Sequence, residues 1–243
     1  MSNIRFAIAQ INSTVGDLSG NTKKIAEFTD RAKSLGVDLL TFPELAITGY
    51  PPEDLLLKPQ FIKQNRQCLD RIIEHTSGMA LVVGFVDSDA DIYNAAAVLY
   101  DKKLVGIYRK SQLPNYGVFD ENRYFQAGKQ CPVFVIYDIG VGITVCEDIW
   151  YETGPATVQA YAGARLLINI SASPYYAGKG FSRERMLATR AADNVAIVAY
   201  SNLVGGQDEL VFDGNSVIFN EQGEPIAIEH KHLVPQLDCC RQR

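Results

Sequence analysis

A four-layer α-β-β-α sandwich, two sheets face to face with helices outside each, is the fold class the sequence predicts. Three observations lead to it. The order strand, helix, strand, helix, strands runs through the first half of the chain and again through the second. Met79 to Phe85 is a continuous apolar run, as expected of a strand buried on both faces. The 243 residues are 47% hydrophobic and show no repeat, low-complexity tract or linker, so one domain over residues 1–243 is expected.

Ile4 to Gln10 reads as the first strand, apolar at Ile4, Phe6 and Ile8. After a turn around Gly16-Asp17, Ser19 or Asn21 can cap a helix with Ile25, Phe28, Ala32 and Leu35 on one face, ended by Gly36. Val37 to Phe42 is a second strand, halted by Pro43 with Glu44 directly behind it. Thr48 to Pro52 is a loop by composition. A second helix from about Pro59 to His75 buries Phe61, Cys68, Leu69, Ile72 and Ile73, which makes Cys68 a core thiol. After the Met79 strand, Ala95 to Tyr100 and Leu104 to Tyr108 form a hairpin whose second arm runs out at Arg109-Lys110.

Ser111 to Phe125 is a long, aromatic-rich loop, and such loops in compact domains carry function. Val133 to Tyr137 and Val141 to Val145 pair through Asp138-Ile139-Gly140, and a helix follows to about Gly163. Arg165 to Ile170 is a strand closed by Ser171-Ala172-Ser173-Pro174. Phe181 to Asn194 is a helix expected to keep Arg183, Arg185 and Arg190 on its solvated side, and Val195 to Tyr200 is the next strand. Ser216 to Phe219 and Ile226 to Glu229 make a last hairpin, whereas Gly205-Gly206-Gln207-Asp208 reads as a turn.

A net charge of −5 without a Lys/Arg cluster argues against nucleic-acid binding, whose affinity would come from phosphate neutralisation. The opening apolar run is too short for a signal peptide or membrane span. Five cysteines without disulfide or zinc spacing point to a reduced, cytoplasmic protein, and the adjacent Cys239 and Cys240 look incidental. No membrane partner is expected.

Chemistry concentrates at three strand ends. The strand Val141 to Val145 stops at Cys146, followed by Glu147 and Asp148, so a thiol stands where ligands bind in α/β folds. Glu44 and Lys110 end two other strands. Singly, each has a plainer reading: a space-filling thiol, a loop carboxylate in water, a solvated hairpin end. Together they supply a nucleophile, a base and a fixed cation. A thiol needs an activator, yet His75, His230 and His232 lie outside the thiol's motif, which argues against a Cys-His pair. His230 and His232 would share one side of a strand, a weak metal signal beside the plainer reading of a solvated edge strand. Spacing alone thus reaches a cysteine hydrolase.

Phe42-Pro43-Glu44-Leu45, Tyr108-Arg109-Lys110 with Leu113-Pro114, and Val145-Cys146-Glu147-Asp148-Ile149-Trp150 resemble the three ordered motifs of the nitrilase (carbon-nitrogen hydrolase) superfamily. The resemblance covers nearly the whole chain. It implies the nitrilase-like α-β-β-α fold and a Glu44-Lys110-Cys146 triad acting on an amide or nitrile carbon, with no cofactor and no metal. Pro43 to Leu56, Leu113 to Glu121 and Gly205 to Gly214 further resemble the glutaminase domain of glutamine-dependent NAD synthetases. That resemblance implies L-glutamine as substrate and ammonia as product. It assigns the substrate ammonium to Glu121, its carboxylate end to Ser173 and Lys179, and the pocket to Tyr50, Tyr116 and Phe119, with the backbone N–H of Glu147 at the oxyanion.

The phosphate loop of that family's synthetase half, Ser-Gly-Gly-x-Asp-Ser, is not found in this sequence. The chain is therefore expected to be the ammonia-producing half, supplying a synthetase domain or subunit, and to form a homo-oligomer. The alternatives are another amidase of the superfamily, such as an ω-amidase or carbamoylase, and a catalytically silent assembly module.

Overall fold

Alternating apolar residues along short strands, and apolar stripes along the helices between them, decide which faces of this chain meet. The computed structural model describes residues 4–228 and 236–241. In the first half, β1 (Arg5–Gln10), α1 (Leu18–Ser34), β2 (Leu39–Thr41), α2 (Pro59–Ile73), β3 (Ala80–Ser88), β4 (Ile92–Tyr100) and β5 (Lys103–Arg109) follow in order. In the second half come β6 (Val133–Ile136), β7 (Ile139–Val145), α3 (Pro155–Tyr161), β8 (Leu166–Ser171), α4 (Lys179–Asn194) and β9 (Ile197–Asn202). The chain continues through β10 (Val204–Gln207), β11 (Leu210–Asp213), β12 (Val217–Phe219), β13 (Pro225–Ile228) and β14 (Gln236–Arg241).

Two six-stranded sheets result, ordered β14-β1-β2-β3-β4-β5 and β13-β12-β9-β8-β7-β6. Each has a parallel centre, β1-β2-β3 in one and β7-β8-β9 in the other, continued by antiparallel strands on both sides. The doubling in the sequence is thus a doubling of architecture. Because side chains alternate across a strand, Leu39 and Leu40 serve different layers. Leu39, Ile8 and Val82 meet Val141, Ile143 and Ile168 between the sheets. Leu40, Ala9 and Leu81 meet Ile25, Phe61 and Leu69 under α1 and α2. The other outer layer sets Ala156, Leu187 and Ala191 of α3 and α4 on Leu167, Val198 and Tyr200.

Several local expectations are corrected. Asp17 caps α1 by accepting the Gly20 N–H at 2.8 Å, while Asn21 turns inward and ties Thr14 to Ile47. Leu35 is the exposed C-cap rather than part of the apolar face. Val195 ends α4 with φ +47° and is exposed, so β9 begins two residues later. Gly205 and Gly206 lie in β10, which pairs with β11 in a hairpin turning at Asp208. A strand not foreseen, β14, closes the edge beside β1. Arg183 is fully buried and Arg190 nearly so. Arg183 gives Nη2 to both oxygens of Asp213, at 3.0 and 2.8 Å, and Arg190 donates to the carbonyls of Ile149 and Trp150 at 3.1 and 3.0 Å. Their partners come from other elements, and paired arginines bury where lone ones do not. His230 and His232 lie outside the described residues.

One glycine in this frame is required by a close approach. Gly84 of β3 faces the backbone of Pro43, Glu44 and Leu45, where any side chain would collide with the Pro43 carbonyl and the Leu45 N–H. The loop carrying Glu44 therefore lies directly on the sheet.

Candidate active site

Three strands of the two facing sheets stop at the same end of the inter-sheet space, and each delivers one reactive side chain. Glu44 follows β2, Lys110 follows β5 and Cys146 follows β7; all three are buried. Lys110 Nζ donates to Glu44 Oε1 and to Glu121 Oε1, both at 2.8 Å. Glu44 Oε1 also accepts from Asn94 Nδ2 at 2.7 Å, and Oε2 accepts the Ala172 N–H at 2.8 Å. Glu44 is thereby held from both sheets. A lysine ammonium has three N–H donors and a carboxylate about four acceptor positions. After these bonds Lys110 keeps one donor and Glu44 Oε2 keeps room for a proton.

Burial works against the Lys110 ammonium, but Glu121 and Glu44 outweigh it and hold its pKa well above the ordinary lysine range. Burial also pushes the Glu121 carboxyl up, since the pull of Lys110 does not offset desolvation and the repulsion from Glu44. Glu121 Oε1 further accepts from the Tyr50 hydroxyl at 3.0 Å, while its Oε2 has no partner among the described residues. Burial, then Glu44, raises the Cys146 thiol well above its usual range, with Lys110 opposing. A thiol so disfavoured as thiolate needs a base beside it to react.

Cys146 sits at φ +46°, a left-handed position rarely adopted by a side-chain-bearing residue, where β7 ends and the 3-10 turn Cys146–Trp150 begins. Asn169 of β8 donates Nδ2 to the Cys146 carbonyl at 3.3 Å. Asp148, fully buried two residues on, accepts the Val145 N–H at 3.0 Å and the Tyr108 hydroxyl at 2.7 Å on Oδ2. Its Oδ1 accepts the Ser111 and Gln112 N–H groups at 3.1 and 2.8 Å.

A cavity of about 430 Å³ opens over Cys146 and Glu147. Tyr116 and Phe119 from the long loop form one wall, with rings 5.5 Å apart edge to face. Ser173, Lys179 and the β10–β11 hairpin, through Glu209, Leu210 and Val211, form the other. The Tyr116 hydroxyl donates to Glu147 Oε1 at 2.9 Å. Lys179 Nζ donates to the Pro174 carbonyl at 2.7 Å, and burial lowers its pKa. The long loop therefore serves the site twice, giving the cavity its aromatic wall and Lys110 its second carboxylate. Tyr50 and Glu121 are not on the cavity wall; they sit behind it, against Lys110. A larger groove of about 680 Å³ runs past Asp91, Tyr93, Arg109 and Lys129, but none of the three reactive groups lines it, and its arginine is already held by Asp87 at 2.7 Å.

Sequence reasoning placed Glu44, Lys110, Cys146, Tyr50, Tyr116, Phe119, Glu121, Ser173 and Lys179 around one space; the structure puts Cys146, Tyr116, Phe119, Ser173 and Lys179 on the cavity wall and joins Glu44, Lys110, Glu121 and Tyr50 in a buried hydrogen-bonded chain off that wall. It missed Asn94 and Asn169 and left Asp148 without a role. Two of them, Asn94 and Asn169, are mid-strand polar residues in apolar surroundings, a pattern that could have drawn attention. Among the described residues no group of three or more His, Cys, Asp or Glu side chains could hold a metal ion, and no helix is long and apolar enough to cross a membrane.

The carbon-nitrogen hydrolase family profile matches residues 5–231. The chain is 49% identical over 229 residues to the glutamine-dependent NAD(+) synthetase of Thermotoga maritima, covering 93% of this chain and 40% of that protein. It is 44% identical over 226 residues to that of Aquifex aeolicus, covering 92% and 40%. The chain thus spans about two fifths of the length of these curated relatives. Among solved structures, the glutamine-dependent NAD+ synthetase of Acinetobacter baumannii, in complex with ADP, superposes with a TM-score of 0.94 at 35% identity, over 98% of this chain and 45% of that one. An amidase of the nitrilase superfamily from Nesterenkonia gives 0.88 at 26%, over 99% and 91%.

Proposed function

The chain belongs to the carbon-nitrogen hydrolase family, and on that premise we propose that it hydrolyses the side-chain amide of L-glutamine to glutamate and ammonia through a thioester on Cys146. The observation that carries the reading is the convergence of Glu44, Lys110 and Cys146 at one end of the inter-sheet space, below a cavity whose far wall offers Lys179 and Ser173.

Glu44 takes the proton of the Cys146 thiol through Oε2 as sulfur attacks the amide carbon. The carbonyl oxygen becomes an oxyanion, held by the remaining N–H of Lys110 and the backbone N–H of Glu147 in the first turn after the strand. The C–N bond breaks, and the leaving nitrogen takes the proton back from Glu44 and departs as ammonia. Water, deprotonated by Glu44, attacks the thioester; the C–S bond breaks, and Cys146 leaves as the thiol by taking that proton from Glu44, with glutamate released. Lys179 and Ser173 take the substrate carboxylate, and Tyr116 and Phe119 enclose the carbon chain; Glu121, behind the cavity wall with the Tyr50 hydroxyl on its Oε1, holds Lys110 rather than the substrate ammonium. The relatives' name and the 40% of their length that this chain spans support passing the ammonia to a synthetase domain or subunit.

The test uses the purified chain with glutamine, propionamide and an N-carbamoyl amino acid. Glutamine should be preferred, and Lys179→Ala should raise its KM by about 10-fold or more, the value of one charge-assisted hydrogen bond, with kcat little changed. Propionamide, lacking a carboxylate, should not register the substitution. Equal losses on both amides would remove Lys179 from substrate recognition, and a preference for propionamide or the carbamoyl compound would overturn glutamine as substrate.

A further inference from the structure

We infer that Asp148 is a positioning residue for the reaction, a single buried carboxylate that fixes the strand end bearing Lys110 to the strand end bearing Cys146. This deepens the reading above and rests on it. The two catalytic residues lie on different sheets, and the inter-sheet packing around them is apolar and non-directional. Their relative placement needs something directional. Asp148 supplies it: Oδ1 holds the N–H groups of Ser111 and Gln112, the two residues after Lys110, and accepts the Ser111 hydroxyl at 3.2 Å. Oδ2 holds the Val145 N–H, one residue before Cys146, and the hydroxyl of Tyr108, two residues before Lys110.

All five partners are donors. No ion pair neutralises the carboxylate among the described residues, and burial raises its pKa while the Val145 N–H and Tyr108 hydroxyl pull it back. A buried carboxylate satisfied entirely by donors from two strand ends is a geometric clamp rather than a surface charge. It also bears on the left-handed Cys146. With Val145 held by Asp148 on one side and the Cys146 carbonyl held by Asn169 on the other, the residue cannot relax to ordinary strand geometry.

Asp148→Asn keeps the volume and loses the charge. It must also turn an NH2 group toward donors, whichever way the amide faces. The expected result is a fall in kcat for glutamine of about 10²-fold, the scale of a misplacement of roughly 1 Å, with KM within about threefold of wild type. The second readout is the pH profile of Cys146 alkylation by iodoacetamide, followed by intact mass, which needs no substrate. Burial, then Glu44, Glu121 and Glu147, raise the thiol's titration, and Lys110 lowers it. Drawing Lys110 away should therefore move the profile upward by about half a pH unit or more. Loss of Asp148's own charge would move it down, so the direction separates displacement from simple electrostatics. Tyr108→Phe, which removes one of the five donors and leaves the carboxylate, should give a smaller change of the same sign and stands in if Asp148→Asn does not fold. An upward shift in a chain that never hydrolyses glutamine would support the clamp and overturn only the substrate. Variants that melt earlier yet keep both kcat and the alkylation profile would overturn the clamp, as would a downward shift.

Discussion

Cys146→Ala should abolish ammonia release from glutamine while the protein keeps its fold. The lost group is one sulfur at a strand end, and the residual gap is small, so the melting temperature should fall only slightly. On the proposed mechanism the chemistry has no substitute: the thioester would require a nucleophile at that point, and Glu44, bonded to Lys110, Asn94 and the Ala172 N–H, cannot swing in to replace it. Cys68→Ala makes the contrast. Its thiol lies in the layer beneath α1 and α2, with Sγ 3.8 Å from the Leu18 carbonyl, and its loss should leave most activity. Coupled ammonia assays on both variants, with melts recorded by circular dichroism, decide the matter; native-rate hydrolysis by the Cys146 variant would refute the nucleophile assignment.

Lys110→Met carries the second large effect, on two observables at once. Losing one oxyanion donor should lower kcat by about 10²- to 10³-fold. The substitution also leaves Glu44 and Glu121 buried together with no cation between them, a change expected to cost about 3–5 kcal/mol. The sign of the pH dependence follows from the pair. Burial already raises the Glu121 carboxyl, and Lys110 is the main influence lowering it, so its removal raises that group further. A carboxyl whose folded pKa lies above its unfolded one stabilises the fold fully below the unfolded value and loses that contribution as pH rises through the folded value. The variant should therefore melt progressively later as the buffer is taken from about pH 8 towards about pH 5. A melting temperature that falls over that range, or a defect confined to KM, would move Lys110 out of this role.

The parts of this molecule that were legible in the sequence share a physical cause. Glu44, Lys110 and Cys146 stand out because each ends an apolar run, and such runs record buried strands directly. The illegible parts depend on partners distant in the chain. Arg183 was expected in water, since a charged residue on a helix normally is, but Asp213 lies 30 residues away across the β10–β11 hairpin. That hairpin was itself hidden, because Gly205-Gly206 has the composition of a turn while its backbone pairs with Val211 and Phe212. Asn94, Asn169 and Asp148 show the same limit at the site. Asn94 and Asn169 stand out locally only as polar residues within apolar strands, and the meeting of strands alone shows which hydrogen bonds each of the three makes.

The reactive trio is divided between the sheets, Glu44 and Lys110 on the first and Cys146 on the second, and neither half of the chain owns a complete set. On the proposed mechanism, hydrolysis would consequently be a gauge of assembly. Anything that slides one sheet on the other, while leaving every strand and helix intact, disconnects base from nucleophile. In a denaturant titration, ammonia release should vanish before the far-ultraviolet dichroism declines, so catalytic rate would report the docking of two half-molecules that spectroscopy of their backbones cannot see.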